Sequence, residues 1–374
     1  MSECVRIPVE SGEMNAALER FFGGLLEKEI VQGVFVPMRQ PGGQVVMPTL
    51  VREPDKLKGV DPLAPVTPMS AARALSSVTY KESNFKIAAF LRPCDYRAFV
   101  ELVKLKQSMK DQVLTITVDC IGRLETKDFL ALNAEYGEKA SVQFHARKGE
   151  VDGIPLLRAC EICEFPSHEG SDIAIRVLGV DLEKEIILCG QTEAGKQALQ
   201  ALEFEHAEEP GGREVALKEL VASRTAERDA VFKEFGEKTS SFSGLRDLMS
   251  TCINCYNCRA ACPVCYCREC VFLTDTFKHE PDQYFQWAEK RGLVKLPTDT
   301  IFFHLTRMIH ISTLCVGCGQ CSTACPMDLP VMEIFRTTAA NTQARFEYQA
   351  GRDLDEPLPL ATFEDREFME LGGE

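Results

Sequence analysis

The sequence lacks any apolar run that approaches the roughly 18 residues needed to cross a membrane. Its N-terminus also lacks the basic stretch followed by an apolar stretch that marks a secretory leader. We therefore expect a cytoplasmic chain with no direct membrane insertion. Positive charge is scarce as well: 42 Lys and Arg stand against 56 Asp and Glu, and the formal net charge is −14. Because nucleic-acid phosphates require a basic face, this balance argues against a nucleic-acid partner.

Cysteine, in contrast, is abundant, with 17 among 374 residues. In a reducing cytosol such a count predicts metal ligation, since disulfide frameworks belong to small secreted proteins. Two runs, at residues 252–263 and 315–326, share the spacing Cys-x2-Cys-x2-Cys-x3-Cys-Pro. This spacing holds two [4Fe–4S] clusters, and the fourth cysteine of each run serves the other cluster. Zinc sites usually show two separated Cys-x2-Cys pairs, so zinc and disulfides are disfavoured for these runs.

The same rule assigns the eight cysteines of the two runs. The first cluster is predicted to bind Cys252, Cys255, Cys258 and Cys325. The second cluster is predicted to bind Cys315, Cys318, Cys321 and Cys262. We therefore expect a chain that moves electrons.

Ahead of these runs, short apolar strands alternate with helices. Strands are predicted at residues 33–37, 44–51, 86–91, 113–119, 172–180 and 185–189. Helices are predicted at residues 14–31, 71–78, 96–106 and 213–236, and within the cysteine-rich part at 281–291 and 302–312. The alternation predicts an α/β (α+β) body with a site on the strand-end loops, followed by a ferredoxin-like domain for two [4Fe–4S] clusters.

Four further cysteines are placed where they can share one site. Cys94 and Cys120 each follow the end of a predicted strand, and the pair Cys160-x2-Cys163 comes later in the chain. Four thiolates are a sufficient ligand set for another [4Fe–4S] cluster. The alternative is two core cysteines together with a small zinc site or a vestigial pair.

Several of these segments resemble a known family. Its Gly-Thr-Pro-Cys-Gln turn corresponds to residues 92–95 (RPCD), its Cys-x-Gly strand end to residues 120–122 (CIG), and its Cys-x-x-Cys-x-[Asp/Glu]-Phe stretch to residues 160–165 (CEICEF), followed by SDI at 171–173. With LLEKEIVQGVFV and PDKLKGVDPLAPV nearer the N-terminus, most of residues 14–190 is similar to the beta-subunit family of coenzyme F420-reducing hydrogenases and F420-linked formate dehydrogenases. The ferredoxin module is appended as in the formate dehydrogenase beta subunits.

The resemblance implies that Cys94, Cys120, Cys160 and Cys163 hold a third cluster. It also implies an FAD beside that cluster, which exchanges hydride with a deazaflavin or a nicotinamide. We accordingly divide the chain into an N-terminal α/β region (1–85), an α/β region for the third cluster and a flavin (86–240), and a ferredoxin-type domain (241–374). The last domain contains an insertion (263–314) between its two cluster motifs and a C-terminal tail.

The chain departs from the family at two places that concern the flavin. The family has a Gly-Gly-x-x-[Ser/Thr] stretch, where bare backbone approaches a cofactor phosphate, and its glycines align with Asn15 and Ala16 here. Arg92 stands in the altered turn before Cys94. This arginine is a candidate for binding a phosphate or a partner carboxylate, or else a solvated surface residue. The flavin is therefore either retained or lost.

A third group, Cys265-x-Cys267-x2-Cys270, is one ligand short of a cubane. Cys4, Cys189 or a partner chain is a candidate for the missing ligand. The alternative for the three cysteines is a structural or zinc role. Cys189 ends an apolar strand, so we expect it to be a small core residue.

His304 and His310 flank Arg307 on a predicted helix just before the second run. Hydrogen bonding that tunes a nearby cluster is one role for these histidines. Simple packing is the other, and it is the role we expect.

Hydride carriers move two electrons, cubanes move one, and a flavin can do both. We therefore expect an electron-transfer iron–sulfur flavoprotein, an oxidoreductase subunit. It would pass electrons between F420 or NAD(P)H and a partner of the formate dehydrogenase, hydrogenase or heterodisulfide reductase type. The alternative is a flavin-free iron–sulfur connector with no substrate chemistry of its own. A free-standing ferredoxin-type carrier is disfavoured because it does not need an α/β body.

Overall fold

One mixed sheet of eight strands frames the N-terminal part in the computed structural model, which describes residues 3–42, 45–151 and 153–361. The strands are β1 (Glu3–Pro8), β2 (Gly33–Arg39), β3 (Val46–Val51), β4 (Ile87–Phe90), β5 (Val113–Val118), β6 (Ile173–Arg176), β7 (Glu185–Gly190) and β8 (Glu205–Ala207). Their order is β3-β2-β4-β5-β6-β7-β1-β8. Strands β2, β4, β5 and β6 are parallel, and the outer strands join them in antiparallel pairs. Gln44, the predicted start of the second strand, lies outside the described residues.

Helices cover both faces of the sheet and build most of the C-terminal part. The helices of the body are α1 (Met14–Glu27), α2 (Ala71–Thr79), α3 (Pro93–Lys104), α4 (Thr126–Tyr136), α5 (Ala140–Ala146), α6 (Arg158–Glu161) and α7 (Glu193–Ala201). They are followed by α8 (Arg213–Lys238), α9 (Phe242–Leu248), α10 (Asn257–Ala261), α11 (Pro281–Arg291), α12 (Thr300–Ile311), α13 (Gln320–Thr323) and α14 (Val331–Arg345). The predicted α/β class is confirmed. None of the helices in the described ranges combines the length and the apolar character needed to span a bilayer.

The central strands are short and wholly buried. Strands β4 (IAAF) and β5 (VLTITV) have no exposed residue, as expected for parallel strands that helices cover on both faces. Ala88 and Phe90 face the hydrophobic core that contains α1, whereas Ala89 faces the core that contains α2 and α3. Because β4 and β5 run parallel, their carboxyl ends lie at the same edge of the sheet. Cys94 and Cys120 follow at that edge.

The cysteine-rich C-terminal part packs directly against the body. Phe99 of α3, Phe303 of α12 and Phe335 of α14 belong to one continuous hydrophobic core. Arg97 of α3 donates a hydrogen bond to the carbonyl oxygen of Val316, at 3.2 Å, in the second cysteine run. The proposed division into three regions stays a prediction, and the core is continuous across residue 240. The end of the C-terminal tail, residues 362–374, lies outside the described residues.

Strand β1 carries a disulfide that we did not expect. Cys4 lies directly opposite Cys189 of β7 in the antiparallel register, and the two are disulfide-bonded. Both side chains are buried, as predicted for Cys189. The expectation of metal ligation rather than disulfides was wrong for this pair, because the strand pairing brings the two Cα atoms to 4.0 Å.

Candidate iron–sulfur centres

The four cysteines assigned to the first cluster lie around one cavity. Its lining includes all four thiols and mostly apolar side chains. Cys258 is buried, whereas Cys255 is exposed. The cavity therefore lies near the protein surface. The four members are Cys252, Cys255, Cys258 and Cys325.

The loop between Cys252 and Cys258 wraps tightly around this cavity. Asn254 and Tyr256 have φ angles of 52° and 60°, in the left-handed region that residues other than glycine rarely adopt. The Asn254 N–H lies 3.5 Å from the Cys252 sulfur. Asp299 holds the loop by accepting hydrogen bonds from Asn254 Nδ2 at 3.0 Å and from the Tyr256 hydroxyl at 3.4 Å. The turn therefore directs a backbone donor toward a predicted ligand.

Helix α12 places two side-chain nitrogens against sulfurs of the first set. His304 Nε2 lies 3.3 Å from Cys252 Sγ, and Arg307 Nη1 lies 3.1 Å from Cys258 Sγ. Burial, and then nearby positive charges, lower the pKa of His304 to about 4. Its ring is therefore neutral at neutral pH, and an Nε2 proton can be donated to the sulfur. We expected both histidines of this helix to pack; His304 is buried and also contacts a predicted ligand, whereas His310 is exposed.

The second set of thiols interacts closely and is enclosed. The charge of Cys262 raises the pKa of three nearby thiols, those of Cys315, Cys318 and Cys321. Burial first, and then Cys262, raise the pKa of Cys318 to about 12 and that of Cys321 well above its usual value. Buried thiols whose ionised forms would repel one another stay protonated unless a positive group compensates the negative charge. Iron is such a group, because it binds thiolates and displaces their protons.

The second cysteine loop repeats the backbone geometry of the first. Gly317 and Gly319 occupy the motif positions of Asn254 and Tyr256, and their φ angles are 70° and 79°. Close approach gives a further reason for glycine, since a Cβ on Gly319 would lie 2.4 Å from the Cβ of Ala159. The chain therefore makes the same turn twice, near the surface in the first run and against the body in the second.

The third set also shares one cavity. Its cavity is lined by Cys94, Cys120, Cys160 and Cys163. Cys94 lies in the first turn of α3, Cys120 directly follows β5, and Cys160 lies in α6. The Cys120 N–H donates to the carbonyl oxygen of Pro166 at 2.6 Å, which ties the loop after Cys163 to the strand end. The structure thus brings together four cysteines from separate stretches of the chain.

Arg92 is buried against the third set rather than solvated at the surface. Its Nη1 lies 3.5 Å from Cys120 Sγ, and its Nη2 donates to the carbonyl oxygen of Ala64. Burial raises the pKa of the Cys120 thiol, but Arg92 and Arg224 outweigh that effect, so the pKa lies below its usual value. The alternative of a solvated Arg92 was therefore wrong. Its proposed contact with a cofactor phosphate or a partner carboxylate stays a prediction.

The second and third sets are neighbours. Cys318 lines the same cavity as the third set. Arg123 lies buried between them, and its Nη2 donates to the Cys318 carbonyl oxygen at 2.6 Å. Burial lowers the pKa of Arg123, but the Cys160 and Cys94 thiols raise it by more. Since Arg307 contacts Cys258 of the first set and is influenced by thiols of the second, the second set lies between the other two.

Neither of the two cysteines that we considered within the chain is available as a fourth ligand for the group Cys265, Cys267 and Cys270. Cys4 and Cys189 are bonded to each other. Cys267 is exposed, and the other two thiols are partly buried. Among the described residues, no three His, Cys, Asp or Glu side chains are arranged to hold a single metal ion. A cubane sets a different requirement, because its four thiolates bind four irons. A ligand from a partner chain, or a structural role, stays a prediction for these three cysteines.

A buried carboxyl group, that of Asp61, lies near the start of helix α1. Asp61 is fully buried and accepts hydrogen bonds from Ser141 Oγ at 2.8 Å and from Arg39 Nε at 3.0 Å, and the Asn15 side chain also acts to lower its pKa. Burial raises the pKa of Asp61, and these partners only partly oppose it. A phosphate at this point would meet a side chain and a buried carboxyl group, whose desolvation already disfavours added negative charge. The residues at this helix start do not fit a flavin phosphate.

Known proteins resemble this chain over its cluster motifs and over most of its length. Residues 247–329 match the family described as a 4Fe-4S dicluster domain. The F420-dependent formate dehydrogenase 1 subunit beta of Methanococcus maripaludis is 30% identical, over 94% of each chain. The F420-dependent formate dehydrogenase subunit beta of Methanocaldococcus jannaschii is 25% identical, over 94% of this chain and 95% of that protein. A chain of the F420-reducing [NiFe] hydrogenase complex from Methanosarcina barkeri aligns with 14% identity and a TM-score of 0.45, over 64% of this chain and 93% of that one.

Proposed function

Since this chain belongs to the family of the F420-dependent formate dehydrogenase beta subunits and is an iron–sulfur electron-transfer subunit, we propose that it holds three [4Fe–4S] clusters in a row. The first cluster is bound by Cys252, Cys255, Cys258 and Cys325. The second cluster is bound by Cys315, Cys318, Cys321 and Cys262. The third cluster is bound by Cys94, Cys120, Cys160 and Cys163. Each cubane supplies one-electron chemistry when bound.

The observation that carries this proposal is the convergence of each ligand set. The first and third sets each line a single cavity. Their members are distant in the chain, as Cys258 and Cys325 or Cys94 and Cys163 show. Scattered core cysteines have no reason to converge, because ionised thiols repel and buried thiols lose hydration. Cluster binding provides a reason, since one cubane needs four thiolates.

The order of the three sites supports a relay. Arg123 bridges the third and second sets, and Arg307 lies between the second and the first. The first set reaches the surface, where Cys255 is exposed and Ile253 is 54% exposed. Electrons therefore enter or leave the row at the first cluster. The other end lies at the carboxyl edge of the parallel strands.

We propose that the first cluster exchanges electrons with a partner subunit of the formate dehydrogenase, hydrogenase or heterodisulfide reductase type. Two similar proteins are themselves named as beta subunits of F420-dependent formate dehydrogenases. This chain's own residues hold the clusters, exclude water with apolar walls and fix the separation between sites. The substrate chemistry at the far end of the relay belongs to the partner.

Two candidate functions differ at the third cluster. In the first, electrons come from or go to F420 or NAD(P)H, with an FAD converting between hydride and single electrons. In the second, the chain is a flavin-free connector that links two redox modules. The buried Asp61 carboxyl group near Asn15 favours the connector, because a side chain and a carboxyl group stand at the helix start where the family brings backbone to a phosphate.

Anaerobic purification, followed by measurement of iron, acid-labile sulfide and acid-released flavin, tests both the number of clusters and the presence of a flavin. About twelve irons and twelve sulfides per chain are expected for three cubanes. No flavin after attempted reconstitution with FAD and FMN supports the connector, whereas one flavin per chain supports hydride exchange. About eight irons per chain would contradict the third cluster. Far fewer would contradict the relay altogether.

A further inference from the structure

Arg307 is a buried cation whose nearest partners are cluster ligands. Its side chain is 3% exposed, and it donates from Nη1 to Cys258 Sγ at 3.1 Å and from Nη2 to the Cys258 carbonyl oxygen at 3.2 Å. The guanidinium also lies over the rings of Phe303 and Phe335, with its central carbon 5.5 and 4.8 Å from the ring centroids. These contacts fix its position on α12.

Among the residues that the structure describes, no carboxylate pairs with this charge. In the described ranges, no Asp or Glu oxygen lies within the 4.0 Å ion-pair distance of Arg307. Burying an unpaired cation is costly. The thiols that act on it electrostatically are Cys258 of the first set, Cys262 and Cys321 of the second, and Cys265 of the additional cysteine group. The counter-charge of Arg307 therefore includes the two clusters with their thiolates.

The two ferredoxin-type clusters have the same ligand spacing but different surroundings. The first set receives side-chain contacts from Arg307 and His304, at 3.1 and 3.3 Å. In the part of the chain that the structure describes, the second set has no such side-chain donor at its sulfurs. Arg336 and Arg97 lower the pKa of Cys315, and Arg123 lowers that of Cys318, through their charge. Hydrogen bonds to sulfur, local charge and solvent exposure set the potential of a cluster of given type.

We propose that Arg307 raises the reduction potential of the first cluster through its direct contact with Cys258. The proposal rests on the three-cluster relay proposed above. One electron that passes from the second cubane to the first oxidises the former and reduces the latter, and no proton moves because arginine stays protonated. The added electron increases the negative charge beside Arg307. Its N–H donor and its charge stabilise that reduced state more than the oxidised state, so reduction of the first cluster becomes more favourable.

Potentiometric titration of the full chain with dithionite, followed by electron paramagnetic resonance, tests this proposal. In Arg307→Met, the midpoint potential of one cluster should fall by about 59 mV, the equivalent of a tenfold change for one electron. Arg307→Lys keeps the charge but not the forked donor, so its shift should be smaller and in the same direction. Arg246→Met is the control, because Arg246 is an exposed residue of the same domain that pairs with Asp247. It should leave every midpoint unchanged.

The outcomes separate this proposal from the relay on which it rests. Wild-type protein without cubanes would contradict the relay. Wild-type iron content in Arg307→Met, with every midpoint unchanged, would overturn the role of Arg307 and leave the relay intact. If the Arg307→Met variant loses iron, the shift of the midpoint potential in the Arg307→Lys variant tests the proposal instead. Iron loss in both variants would assign Arg307 a purely structural role and would also overturn the proposal.

Discussion

Gly319 of the second cysteine run and Ala159 of α6 are in direct contact. A Cβ on Gly319 would lie only 2.4 Å from the Cβ of Ala159, far inside van der Waals distance. Gly319 follows Cys318 of the second set, and Ala159 precedes Cys160 of the third. The contact therefore brings together the chain segments beside two candidate clusters. Close spacing of this kind favours electron transfer between the sites.

Substitution of Gly319 by Ala should destabilise the protein by about 2–4 kcal/mol. Roughly 1 kcal/mol comes from the left-handed backbone and the remainder from overpacking against Ala159. Anaerobic urea denaturation measures the loss. Gly292→Ala is the matched control, since Gly292 has a φ of 76° and a Cβ added there would meet no described atom within 4 Å. Equal losses in the two variants would show that the contact with Ala159 has no energetic effect.

Replacement of Cys160 by Ser should remove one cluster and leave the other two. We expect iron per chain to fall from about twelve to about eight, because a four-thiolate site loses a ligand. Iron and sulfide analysis of anaerobically purified protein provides the measurement. Cys267→Ser is the control, as this thiol is exposed and belongs to none of the three sets. Unchanged iron in Cys160→Ser would count against the third cluster, and loss of iron in Cys267→Ser would indicate a further site.

Local patterns predicted the elements that position the candidate sites. The apolar runs of β4 and β5, and the helix over residues 281–291, appear where the periodicity placed them. Cys94 and Cys120 were predicted to meet because each follows a strand, and they line one cavity. Such features depend on neighbouring residues, so they are visible in the sequence.

Features that depend on contacts between distant parts of the chain were not predicted. Strand β1 is six residues long, and its partner β7 lies far along the chain, so no local pattern marks either the pairing or the Cys4–Cys189 bond. His304 and Arg307 were noticed near the second run, yet they contact sulfurs of the first. Helical spacing places both on one face, but only the fold determines which cluster that face meets.

The disulfide between Cys4 and Cys189 should be detectable by alkylation. In protein unfolded without reductant, iodoacetamide should leave both residues unmodified in mass spectrometry, and reductant should expose them. The Cys4→Ser/Cys189→Ser double variant should lose about 2–4 kcal/mol of stability, since the bond closes a long loop. Alkylation of both thiols before reduction would show that the pair is not oxidised. Unchanged iron content in the double variant is expected, because neither thiol belongs to a cluster set.

His145 should make stability depend on pH. Its Nε2 lies 3.2 Å from the Leu63 carbonyl oxygen, and burial, opposed only partly by that bond, lowers its pKa to about 4. An unfolded histidine has a pKa of about 6.5, so only the unfolded state takes up a proton between these values. Stability is therefore complete above about pH 6.5 and falls toward pH 4, by about 2 kcal/mol at about pH 5. Urea unfolding of His145→Gln should show a shallower fall than that of His206→Gln, a variant at an exposed histidine. The same fall in both variants would exclude His145 as the source.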